Sequence, residues 1–229
     1  MTARIVGVLA CAALAAGCGG AGASGDGQAT LWVTRDRGAR VLHDVHVPAG
    51  LTAMEALDRV AKVDTKYGGR FVEAIDGIHS ASHRDWFYYV NGYLADRSAA
   101  EYRLRPGDVE WWDYRSWRNP AEDPVVVGAF PEPFVHGYAG RRRPTIVFGA
   151  RTPATRQIAR LVHARRVVRQ YPHEAHGANV LVVYPSRGTT FRITSTTGAP
   201  GSPVVMTFWG NADRLARDPH LARFRYSLP

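Results

Sequence analysis

Only two of the 229 residues are cysteines, Cys11 and Cys18, and both fall within the first eighteen positions. Whatever folds beyond them does so without a disulfide and must bury an ordinary apolar core. About 200 residues follow residue 28, enough for one large domain or two small ones. Ahead of them, Met1-Thr2-Ala3-Arg4 gives a short positive start and Ile5 to Leu14 an almost unbroken apolar run, the layout of a secretory signal. That run is far short of the roughly 20 apolar residues of a membrane-spanning helix, and no later stretch approaches that length.

The signal closes on Leu14-Ala15-Ala16-Gly17-Cys18, which resembles the lipobox of bacterial lipoproteins. The family usually has leucine where Ala15 stands, and here Leu14 lies one position further back. The resemblance implies cleavage before Cys18 and lipid on its thiol, whose thiolate is the nucleophile. It also gives an unpaired cysteine in an exported chain its explanation. The alternative is a plain signal peptide cut elsewhere, with Cys18 incidental. Residues 1–17 are thus expected to be a signal peptide. Residues 18–28, glycine-rich and without bulky side chains through Gly27, are expected to be a flexible tether. The expected location is the outer face of the cell membrane, with the lipid bilayer as a partner through Cys18. The formal charge of +9 is almost all arginine. It suits an anionic leaflet and also fits a GC-rich coding bias; export argues against nucleic acid as a partner.

From Ala29 the pattern turns to strands. Thr30 to Thr34 and Ala39 to Val47 flank the turn Arg35-Asp36-Arg37-Gly38 and read as a hairpin. Thr52 with Glu55 three residues on is a capping box. Met54, Leu57, Val60 and Ala61 predict a helix of about ten residues, closing near Tyr67-Gly68-Gly69. Strands follow at Arg70 to Ile75, Asp85 to Val90 and Val109 to Tyr114, with Asn91-Gly92 as a turn. This is the order of a β-grasp domain, a mixed sheet round one helix.

Four motifs carry a resemblance over residues 29–118. They are Gly50-Leu51-Thr52-Ala53-Met54-Glu55-Ala56-Leu57, Ile75-Asp76-Gly77-Ile78, Trp86-Phe87-Tyr88-Tyr89-Val90-Asn91-Gly92 and Leu104-Arg105-Pro106-Gly107-Asp108-Val109-Glu110-Trp111. Their order and spacing resemble the transcobalamin C-terminal-like family. The resemblance implies a ligand-binding module. In vertebrate cobalamin carriers the corresponding domain closes over one face of the corrinoid, and a large helical domain supplies the other. This chain has no such helical partner. Cobalamin therefore enters as a bound ligand to be tested, and no resident cofactor is expected.

Residues 119–143, rich in proline, glycine and charge, read as a connection with one strand at Val125 to Val127. Residues 144–229 then read as a small α/β domain. Its strands are expected at Thr145 to Gly149, Asn179 to Tyr184, Thr190 to Thr194 and Val204 to Trp209. A helix capped by Thr152 and opened by Pro153 runs to about Gln170, with Ile158, Leu161, Val162 and Val168 inward and Arg156, Arg160, Arg165, Arg166 and Arg169 on its wet face. The expected class is α+β.

The aromatics between Trp86 and Trp117 are the sharpest candidate site. Alternation puts Trp86, Tyr88 and Val90 on one face and Phe87 and Tyr89 on the other, while Trp112 and Tyr114 stand together opposite Trp111. Rings flanking a groove suit a planar ligand, a sugar or a peptide; they serve equally to fill a small core or to dock the second domain. The expected ligand-binding set is Ile78, Trp86, Tyr88, Tyr89, Asn91, Trp111, Trp112, Tyr114 and Trp117, with Asn91 and Gly92 also explained by turn chemistry. His79 with His83, and His173 with His176, lack an identifiable third ligand, so no metal is expected. Motifs for a nucleophile elbow or a phosphate-cradling loop are missing, and no catalysis is expected. Two roles stay open: a lipoprotein binding a small ligand for an uptake system, with a membrane transporter as partner, or a scaffold lipoprotein whose aromatics hold a protein or its own C-terminal domain.

Overall fold

A computed structural model describes residues 27–118, 123–173 and 176–226. The signal, Cys18 and nearly all of the expected tether lie outside them. The fold is α+β, and among the described residues no helix is long and apolar enough to cross a membrane.

The first unit opens with the expected hairpin, β1 (Gln28–Arg35) against β2 (Arg40–Pro48). At its turn, Asp36, Arg37 and Gly38 all have positive φ. A Cβ at Gly38 would stand 1.7 Å from the carbonyl oxygen of Phe224, so only glycine lets the end of the chain pass so close. Helix α1 (Ala53–Asp58) starts on the predicted box. The Glu55 amide donates to Thr52 Oγ1 (3.1 Å) and the Thr52 amide to Glu55 Oε2 (2.7 Å). The helix is shorter than expected. Instead of continuing, β3 (Val63–Lys66) pairs with β4 (Phe71–Ile75), which pairs with β5 (Ile78–His79). Val63 and Thr65 favour extended backbone, and the Lys62 amide is caught by Asp76 Oδ1 at 2.9 Å. Next come β6 (Arg84–Val90), the Asn91-Gly92 turn with both φ positive, β7 (Tyr93–Leu94) and β8 (Val109–Ser116). The main sheet runs β2-β1-β8-β6-β7 with β1 and β8 parallel at its centre, a mixed sheet with one helix as expected of a β-grasp unit.

Of the stretch read as a connection, the part from Val125 to Tyr138 is packed inside the molecule. Val125, Val126, Val127, Phe130, Phe134 and Tyr138 are buried. The expected strand at 125–127 reduces to one bridge between Val125 and Tyr93, followed by a 3-10 turn at Val127–Ala129. Phe130 meets Phe191 of the second sheet with ring centroids 6.3 Å apart, so the two units share a continuous core.

The second unit contains β9 (Thr145–Phe148), α2 (Pro153–Leu161), β10 (Arg166–Val168), β11 (Asn179–Tyr184), β12 (Thr190–Ser195), β13 (Val204–Trp209) and α3 (Ala212–Arg217). Its sheet runs β10-β9-β11-β13-β12, with β12 alone antiparallel. Helix α2 stops well before Gln170. His163 takes a left-handed φ of 49°, the chain turns, and Arg166–Val168 pairs with β9. Val168 and Arg166 therefore belong to a strand, and Arg165 and Arg169 flank it, rather than decorating a helix. Helix α3, which the sequence reading missed, is capped by Asn211 Oδ1, which accepts from the Asp213 amide (2.8 Å) and the Arg214 amide (3.2 Å). It buries Leu215.

Candidate functional site

Strands β6 and β8 share a register that divides the aromatics as alternation requires. Trp86 lies opposite Tyr114, Tyr88 opposite Trp112, and Tyr89 opposite Trp111. On the inner face, Tyr88 stacks on Trp112 (4.8 Å, 19°) and Trp86 tilts against Tyr114 (5.2 Å). Their polar ends are tied down by the short β5 strand. Trp86 Nε1 donates to the Ile78 carbonyl and Tyr114 Oη to the His79 carbonyl, each at 2.9 Å. Ile78 thus enters the set through its backbone.

The same face holds a fully buried carboxylate, Glu110, whose Oε1 accepts from Trp112 Nε1 at 2.6 Å. Its Oε2 and the buried Tyr88 hydroxyl have no partner among the described residues. Burial pushes the Glu110 carboxyl well above the usual carboxylate range, with the hydrogen bond from Trp112 opposing the rise. Asn91 sits at the end of β6 with no exposed surface. Its amide nitrogen donates to Asp108 Oδ1 (2.7 Å) and to the Gly137 carbonyl (2.8 Å), while its carbonyl accepts from the Val109 amide (2.7 Å). It pins the start of β8 to the 123–143 segment.

The opposite face, which alternation leaves open, is closed by the chain itself. Tyr89, Trp111 and Trp32 form a cluster with Val126 and Ala129 from one segment and Phe224 and Tyr226 from another. Phe224 meets Trp32 edge-on at 4.8 Å, and Tyr226 meets Trp111 at 5.3 Å and Tyr89 at 5.6 Å. Tyr89 is 0 % exposed and Trp111 1 %. Beneath these rings Asp113 gathers four donors: Thr34 Oγ1 (2.6 Å), the Arg37 and Gly38 amides (3.1 and 3.2 Å) and Tyr226 Oη (3.0 Å). Burial still raises its carboxyl above the usual range, the hydrogen bonds from Thr34, Gly38 and Tyr226 opposing the rise. Arg115, also buried, lies 3.6 Å over the Phe87 ring and donates to Tyr89 Oη at 3.2 Å.

Of the nine expected ligand-binding residues, Trp86, Tyr88, Tyr89, Asn91, Trp111, Trp112 and Tyr114 are buried in described structure, and Ile78 is half-buried. Trp117 alone is well exposed, at 42 %, edge-on to His83 at 5.0 Å. Sequence reasoning missed Glu110, Asp113, Arg115 and the Phe224–Tyr226 segment. The signal was present in polar residues at inward positions on both faces of β8, and in the Phe-Arg-Tyr alternation at 224–226. Among the described residues, no three His, Cys, Asp or Glu side chains come together in a group able to hold a metal.

A second aromatic assembly was also missed. Phe148, Tyr184 and Trp209 share one face of the second sheet by register. Tyr171, Phe148, Tyr184 and Trp209 touch in sequence at centroid distances of 5.7, 5.6 and 6.3 Å. Tyr184 is 41 % exposed.

The site and fold define an α+β protein whose first unit is a mixed sheet with one helix and whose second is a further mixed sheet with two. Residues 50–116, from the approach to α1 through β8, match the family described as Domain of unknown function (DUF4430). Similar solved structures include a proposed metal binding protein from Ruminococcus gnavus ATCC 29149, at 12 % identity and a TM-score of 0.33, covering 40 % of this chain and 98 % of that one. Haptocorrin in complex with Cbi is similar at 14 % identity and a TM-score of 0.33, over 39 % of this chain and 25 % of haptocorrin. No curated protein matches.

Proposed function

We propose that this protein is an exported, lipid-anchored, non-enzymatic interaction protein of the cell envelope, whose first-sheet aromatics serve as an internal dock for its own C-terminal segment. One observation carries the docking role: the second face of that sheet is sealed by Val126, Ala129, Phe224 and Tyr226, with Tyr226 hydrogen-bonded to Asp113. Export and anchoring rest on the signal-like start and the Leu14 to Cys18 motif. A second reading, a small planar ligand such as a corrinoid, is favoured by the exposed Trp117 beside His83.

Equilibrium dialysis against cobalamin and cobinamide separates the two. The docking role expects no retention at high micromolar concentration, either by the wild type or by Phe224→Ala/Tyr226→Ala. Retention that Trp117→Ala abolishes would establish the ligand reading. Retention gained only by the double variant would show that the segment gates a ligand face, and would sink the purely structural role. Anchoring is tested by Cys18→Ala, which should move the protein from the membrane to the soluble fraction after a high-salt wash that leaves the wild type bound, with unchanged unfolding.

A further inference from the structure

We infer that exposed arginines at the tether end of the molecule form a docking surface for anionic phospholipid headgroups, in the leaflet that would hold the Cys18 lipid. The inference deepens the anchored reading and rests on it.

The position of the first described residue sets the geometry. Gly27 lies against the turn before β8: its carbonyl accepts from the Ala49 amide (3.0 Å), the Gly107 amide donates to the Gln28 carbonyl (2.8 Å), and a Cβ on Gly27 would meet Pro106 at 2.8 Å. Beside that turn the Arg105 guanidinium covers Gly140, 2.6 Å from where a Cβ there would stand, which brings it next to Arg141, Arg142 and Arg143. With Arg97 and Tyr138 these residues line a cleft of about 700 Å³.

The cleft has one carboxylate, Asp96, and it is already engaged by Arg97 Nε (3.2 Å) and Tyr138 Oη (2.7 Å). Arg143 is spent internally on the carbonyls of Gly201 and Gly177. Arg105, Arg141 and Arg142 are exposed and have no carboxylate partner among the described residues; Arg142 reaches only the His163 carbonyl, at 3.5 Å.

Covalent geometry then fixes which surface these three meet. Nine residue steps separate Cys18 from Gly27. At no more than about 3.3–3.6 Å each, they hold Gly27 within roughly 30 Å of a lipidated Cys18 whatever their conformation. This end of the molecule is thereby confined to the neighbourhood of the bilayer. Guanidinium pairs with phosphate through two parallel hydrogen bonds, and each basic residue close to an anionic leaflet adds roughly fivefold to binding. Lipid plus a basic patch supplies the two signals that stable anchoring takes.

The test uses the chain from residue 18 with Cys18→Ser, so that no lipid contributes, sedimented with phosphatidylcholine vesicles with or without phosphatidylglycerol. Binding is expected only to the anionic vesicles. Arg105→Gln/Arg141→Gln/Arg142→Gln should weaken it by roughly a hundredfold, and each single change by roughly fivefold. Arg151→Gln/Arg169→Gln/Arg187→Gln, an equal charge loss in the loops beyond the other ends of β9, β10 and β11, should leave it within about twofold. Equal losses in both triple variants, equal binding to neutral vesicles, or capture of soluble dextran sulfate without vesicle binding would each overturn the proposal. Palmitate labelling of the wild-type chain in cells reports the anchor separately. A labelled protein that ignores anionic vesicles removes the dock alone; an unlabelled one removes the anchored reading.

Discussion

Tyr89 and Trp111 on the first sheet are wholly buried, while Tyr184 on the second, equally in ring-to-ring contact with its neighbours, is two-fifths exposed. Local patterning does not separate them, since both sets sit on strands rich in β-formers. The difference lies in what returns. Over the first sheet the chain passes twice, at 126–129 and again at 224–226. The second sheet has its helices α2 and α3 packed together; on its opposite face Ile146, Val180 and Val182 are buried, Phe148 and Trp209 are half-buried, and Tyr184 stands exposed at the end of β11. Parallel strands are normally covered on both faces, so the exposed Tyr184 ring is the unusual one. Charge is uneven as well. Residues 1–143 hold seventeen basic and seventeen acidic side chains; residues 144–229 hold twelve arginines, no lysine, and only Glu174, Asp213 and Asp218 against them.

The contrast can be broken most directly at Trp111. Trp111→Ala removes a buried ring and its hydrogen bond to Thr34 Oγ1 (2.8 Å), and should cost about 3–5 kcal/mol in urea unfolding. Asp113→Ala strands four donors, two of them backbone amides, and should cost about 2–3 kcal/mol by the same measurement. Either variant behaving like the wild type would mean that the first sheet is not closed in solution.

These residues mark how far the sequence could be read. The capping box, the hairpin and the Asn91-Gly92 turn are local devices, legible because each is satisfied within a few residues. So was the division of rings between the faces of β6, because side chains alternate whatever the fold. The end of α2 was not legible. Leu161, Val162 and Val168 continue a helical spacing until β9 offers Arg166–Val168 a parallel partner, and that choice is tertiary. The candidate site was legible as a collection of rings but not as a surface. Exposure depended on Phe224 and Tyr226, which no spacing near Trp111 announces.

Glu110 sharpens the comparison on the inner face. Its carboxyl is raised by burial, so as pH climbs above the ordinary carboxylate range the unfolded chain releases a proton that the folded one keeps. Stability falls with rising pH, by at most about 1.4 kcal/mol per unit for one proton. Glu110→Gln keeps an acceptor for Trp112 Nε1 and should flatten that decline between pH 5 and 8, read as the urea midpoint against pH. An unchanged slope would assign the decline to other buried carboxyls such as Asp108 and Asp113. The smallest effect is expected at the exposed ring of the second sheet, where Tyr184→Ala should cost no more than about 1 kcal/mol. A loss comparable to that of Trp111→Ala would show that this ring is covered after all.

The hydrogen bond from Tyr226 to Asp113 joins residues 113 positions apart. Under the proposed export, a chain that crosses a membrane in order presents Trp32, Tyr89 and Trp111 on the far side long before Phe224 and Tyr226 arrive. In that interval the aromatic face lies bare, and contacts of such long range form slowly while exposed apolar surface invites aggregation. On that reading, completion of the first unit waits for Phe224 and Tyr226 to emerge. The proposed export thus puts the period of greatest vulnerability in transit, before the finished molecule exists.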